Sequence, residues 1–88
     1  MNTEKQRIQD ILMSWMATAV GVSDFRVYVT CLKHNEYRAI ITYREYENEP
    51  ETIVVVVRPC RVSYSWELEC LIGEEGAEEL VDELMYGH

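Results

Sequence analysis

No lysine or arginine follows Arg61 in this 88-residue chain. Val62–His88 carries eight acids and no base, whereas Met1–Arg61 carries eight of each, so the whole net charge of −8 falls in the last third. A surface of that sign repels nucleic acid and attracts basic partners. Other absences narrow the reading further. There is no run of about 18 apolar residues, which excludes a spanning helix and a membrane partner. No apolar signal core follows Met1–Arg7, so the mature chain is expected to start here and stay in the cytoplasm, or in the host cytoplasm if a phage encodes it. Internal repeats, low-complexity segments and linkers are missing, so residues 1–88 are expected to form one domain whose core has little to spare.

Chemistry-bearing motifs are equally scarce. Cys31, Cys60 and Cys70 form no C-x-x-C pair, and only His34 and His88 could join them. A structural zinc site needs four ligands at tighter spacing, so no metal is expected and the thiols are read as free in a reducing compartment. There is no phosphate-binding G-x-x-x-x-G-K-S/T and no glycine-rich dinucleotide loop, hence no expected cofactor. Neither histidine is flanked by residues that would make a Ser/His or Cys/His nucleophile. The abundant acids fall on an expected exposed face, where general acid catalysis gains little. No catalytic residue is expected and the chain is not read as an enzyme.

What is present has clear periodicity. Thr3 and Gln6 have the capping-box spacing. Ile8, Ile11, Leu12, Trp15, Met16 and Ala19 make one helical stripe, and Gly21 supplies a stop. Phe25–Leu32 alternates as a strand, Lys33–Glu36 turns, and a second strand covers about Tyr37–Tyr46. Glu47–Pro50 is a second turn. Ile53–Val57 is an unbroken β-branched strand, which Pro59 ends. Val62, Tyr64, Trp66, Leu68 and Cys70 alternate with polar residues and favour a further strand. The period of Leu68, Leu71 and Ile72 leaves a helix over 65–72 open. Gly73 and Gly76 lead into a last helix with Ala77, Leu80, Val81, Leu84 and Met85 as its stripe and Gly87 as its end. The predicted fold is α+β: a helix, an antiparallel meander of three or four strands, and a second helix, with both helices on one face.

The last helix carries the strongest functional signal. Glu74, Glu78 and Asp82 form one i, i+4 row and Glu75, Glu79 and Glu83 form another, with no base in either. Each like-charge pair costs an isolated helix roughly 0.2–0.5 kcal/mol. Residues four apart rise about 6 Å, comparable to the spacing of successive phosphates along a strand. These six residues are the candidate partner-binding strip. A second signal is the two-sided apolarity of Ile53–Val57 beside Tyr28, Tyr37, Tyr43 and Tyr46, which suggests a sheet patch that wants cover. Val54, Val56 and Tyr43 are the candidates for self-association.

The order helix, three strands, helix resembles that of double-stranded RNA-binding domains, a family that places lysines at the start of its second helix. Here Glu74, Glu75, Glu78 and Glu79 occupy that place, so RNA binding by that route is rejected. In size, acidity and architecture the chain looks like many phage anti-CRISPR proteins. That resemblance implies an inhibitor obstructing a nucleic-acid-binding surface. In outline it is also similar to type III secretion chaperones, which implies a homodimer binding a partner segment through its sheet. The leading expectation is a non-enzymatic, nucleic-acid-mimicking protein whose acidic helix meets the basic surface of a nucleic-acid-binding protein, with no direct nucleic-acid contact. The alternative is the chaperone-like or scaffolding homodimer.

Overall fold

The computed structural model describes residues 3–86, without the side chains of those two end residues. The expected cap at Thr3, the helix stop at Gly87 and His88 lie outside what is described. In α1 (Thr3–Thr18) the apolar stripe decides which side turns inward: Ile8, Leu12 and Met16, at i, i+4 and i+8, are at most 2% exposed. Ile11 and Trp15 flank them half-buried.

The sheet follows as β1 (Val22–Lys33), β2 (Glu36–Glu45), β3 (Glu51–Arg58) and β4 (Arg61–Tyr64). Its four antiparallel strands lie in chain order, as short connections favour. Register pairs Val29 with Ala39, Ala39 with Val55 and Val55 with Tyr64, so the odd-numbered residues of β1, β2 and β3 share one face. That face supplies Val29, Ala39, Ile41, Ile53, Val55 and Val57 to the core, and both helices cover it. Asn35, in the β1–β2 turn, adopts a left-handed φ of 61°, which asparagine tolerates.

The chain departs from the expected strand over Val62–Cys70. β4 stops at Tyr64, and α2 (Glu67–Tyr86) begins three residues later. Ser65 makes the change of direction. Its N–H donates to the Val54 carbonyl at 3.0 Å, and its Oγ accepts from Val54 N–H at 3.0 Å. Its own carbonyl then accepts from Leu68 N–H at 3.0 Å as the helix starts. The helical period wins because it drops Leu68 into the core at 1% exposure, with Leu71 and Ile72 packed beside it. Trp66, which strand alternation would have turned inward, is instead 68% exposed.

Two glycines fix how the helices meet the sheet. Gly73 interrupts α2 with φ 84° and ψ 162°, a combination that is essentially glycine-only, and the helix resumes after it on a new course. Gly21 has φ 87°, and a Cβ there would sit 2.9 Å from the ring of Tyr46. Tyr46 is held by its N–H, which donates to the Gly21 carbonyl at 2.9 Å, and by Ser23 Oγ, which donates to its carbonyl at 3.2 Å. Gly73→Ala should lower unfolding free energy by about 1–3 kcal/mol from backbone strain alone, because no atom lies within 4 Å of the new Cβ. Gly21→Ala should also destabilise, through its positive φ, with the exposed Tyr46 ring moving aside for the new Cβ. Urea unfolding measures both, and wild-type stability in Gly73→Ala would contradict the assigned backbone geometry.

Candidate protein-binding surfaces

After Gly73, α2 buries Ala77, Leu80 and Leu84, each at most 1% exposed. Three buried positions at i, i+3 and i+7 fix the rotation of the helix about its axis. The polar residues between them must then face solvent. Glu74, Glu75, Glu78, Glu79, Asp82 and Glu83 are all exposed. Ion pairs among the described residues join Arg7 to Glu4, and Lys33 and Arg58 to Glu36; none reaches these six carboxylates.

Two contacts anchor the end of this acidic ridge. Trp15 Nε1–H donates to Glu83 Oε2 at 2.5 Å, tying one carboxylate to α1. Arg7 donates to the carbonyls of Glu83 at 3.1 Å and Leu84 at 2.8 Å. A cation at a helix C-terminus satisfies orphan carbonyls and complements the dipole. Arg7 is held there by Glu4 at 2.6 Å, and its hydrogen bonds keep the Glu4 carboxyl below its ordinary value. Glu67 and Glu69 extend the acidic series into the first turn of α2, where the sequence reading had placed a strand.

The field of this helix is felt nearby. Tyr64 Oη donates to Glu69 Oε2 at 2.7 Å. The Tyr64 phenol is pushed up to about 12, first by that hydrogen bond, then by burial and the negative charges of Glu69, Glu78 and Glu74.

Across the molecule, the even-numbered residues of β1, β2 and β3 form the uncovered sheet face. Val54 and Val56 lie on it half-buried, beside Ile40 and the 67% exposed Tyr28. Tyr43 does not join them. It points into the core at 3% exposure, where its Oη donates to Glu51 Oε2 at 3.0 Å; burial and that bond raise its pKa strongly. The reason is parity: Tyr37, Ala39, Ile41 and Tyr43 share the covered side of β2, while Arg38, Ile40, Thr42 and Arg44 take the other. Arginine at two of those four even positions is the sequence signal that could have sorted the tyrosines.

Cys31, Cys60 and Cys70 are free and exposed, and no group of three or more potential metal ligands converges among the described residues. No helix among them is long and apolar enough to cross a membrane. Searches against family models, curated proteins and solved structures find no match to this chain.

The Tyr64 contact makes a pH prediction. A phenol whose folded pKa is raised lends stability that is complete below its unfolded value of about 10 and is lost as pH climbs through about 12. Subtracting the tyrosinate absorbance titration of Tyr64→Phe from that of the wild type should isolate a component near the upper value. Glu69→Gln should move it down. A component titrating at the ordinary value would contradict the Tyr64–Glu69 bond.

Proposed function

We propose that this chain is a non-enzymatic protein-binding module that docks the acidic ridge of α2 onto a basic surface of a nucleic-acid-binding protein, in the manner of an anti-defence inhibitor. The observation that carries this reading is the six exposed carboxylates in two unneutralised rows on one helix face. A row with a rise of about 6 Å per step offers negative charge at intervals that suit a groove lined for phosphates. Among the described residues no lysine or arginine forms an ion pair with these six carboxylates. Their repulsion therefore favours any partner that brings cations, and such docking is fast and salt-sensitive.

The homodimer reading has weaker support. Its candidate surface does carry the aliphatic residues Ile40, Val54 and Val56. Facing two copies of it would also bring together Arg26, Arg38, Arg44, Arg58 and Arg61 from each, and like charges across an interface are costly.

The test uses Glu75→Lys together with Glu79→Lys. These positions spare Glu83, whose bond to Trp15 belongs to the packing of the two helices. Proteins captured by the wild-type chain should be enriched in nucleic-acid-binding proteins, should elute with salt, and should be displaced by duplex DNA. The double variant should keep its fold by circular dichroism and lose them. Retention of the same partners by that variant would overturn the proposal.

A further inference from the structure

The sheet face opposite the helices has a chemistry of its own. Its central row runs Tyr28, Ile40, Val54 across β1, β2 and β3, and Val56 sits one step along β3. Guanidiniums flank this apolar strip on both sides along the strands. Arg26 and Arg44 lie toward one end, around a shallow depression of about 410 Å³ that Asp24 and Thr42 also border. Arg38, Arg58 and Arg61 lie toward the other. All five are exposed, and all but Arg58 make no ion pair among the described residues. Arg58 shares Glu36 with Lys33, at 3.2 and 3.4 Å.

We propose that this face is a second docking surface, built for an acidic amphipathic helix of a partner protein. An apolar centre rimmed by arginine is the composition of protein interfaces, which enrich arginine and deplete lysine. Arginine also pairs carboxylates bidentately, which fixes orientation as well as sign. Arg38 and Arg44 are six residues apart on one strand, a separation of about 20 Å. A helix covers that distance in about 13 residues. The occupant is therefore a helix of three to four turns, with an apolar stripe over Ile40, Val54 and Val56 and acids toward both ends.

Other anionic occupants fit less well. Single-stranded nucleic acid needs aromatic platforms for its bases; Tyr28 is the one aromatic at the strand positions of this face, and the rest of the centre is aliphatic. A second copy offering its α2 ridge would satisfy the arginines, but the apolar residues beside that ridge, Val81 and Met85, are half-buried in their own fold and leave little to cover the strip. This inference stands on a different face from the acidic ridge and does not depend on it.

The experiment is an amide NMR titration of the full chain with three probes: a synthetic helical peptide with leucines at i, i+3, i+4 and i+7 flanked by glutamates, polyglutamate of equal length, and an oligothymidine. The peptide should shift residues around Tyr28, Ile40, Val54 and Val56, and bind at least about tenfold tighter than polyglutamate. Ile40→Asp should weaken it by about tenfold. Arg38→Glu, at an exposed position where folding is not at stake, should do the same. Equal binding of polyglutamate would overturn the amphipathic component. Tighter binding of the oligothymidine would reassign the face to nucleic acid, and salt-sensitive self-association that Arg38→Glu abolishes would reassign it to a second copy. Shifts elsewhere, or none with any probe, would also overturn the proposal.

Discussion

The acidic surface of this molecule follows from how α2 is held on one side. Ala77, Leu80 and Leu84 sit in the core, while Arg7 grips the carbonyls of Glu83 and Leu84. Trp15 adds a bond to Glu83 from the neighbouring helix. A helix fixed in this way cannot rotate to relieve its own charge. Four like-charge i, i+4 pairs, 74–78, 78–82, 75–79 and 79–83, remain side by side. At roughly 0.2–0.5 kcal/mol each, they cost about 1–2 kcal/mol before screening. That is a substantial fraction of what a small domain has, since net stability is about 5–15 kcal/mol.

The same division of faces explains the other half of the charge distribution. In β1, β2 and β3 the odd-numbered residues turn to the helices and the even-numbered ones to solvent, the parity reverses in β4, and the strand arginines all fall on the solvent side. The five strand arginines therefore gather across the core from the acids of α2, while Lys5 and Arg7 stay on the helix side, in α1. The molecule is strongly polarised although its sequence reads, over that long first stretch, as neutral. The core itself keeps those strand arginines from neutralising the α2 acids. The molecule therefore carries two faces of opposite sign, the acidic α2 ridge and the arginine-rimmed sheet face.

Much of the fold was legible because most segments carry one period only. Ile8, Ile11, Leu12, Trp15 and Met16 together admit no strand reading, and the β-branched run 53–57 admits no helix of comparable merit. The acidic ridge was legible for the same reason: its buried stripe is unambiguous, so its exposed side follows. Val62–Tyr64 is the expected strand, whereas beyond it the strand preference fails and the helix left open over 65–72 forms, because Leu68 fits both a period of 2 and a period of 3.6 and only the closure of Ser65 on Val54 separates them. Tyr43 was misplaced because an aromatic residue is at home on either face of a sheet. The arginine face was missed because its members are scattered over four strands, and only register brings them together.

The most direct measurement of whether the α2 carboxylates stand unneutralised is the unfolding free energy in urea at low and moderate salt, about 10 and about 300 mM NaCl, either side of strong screening. Repulsion along an unpaired ridge predicts that salt stabilises the wild type and that Glu79→Gln is more stable than wild type at low salt, with the gap closing as salt is added. Stability that falls with salt, or a Glu79→Gln variant weaker than wild type, would mean that these acids are engaged in favourable pairs and would contradict the account.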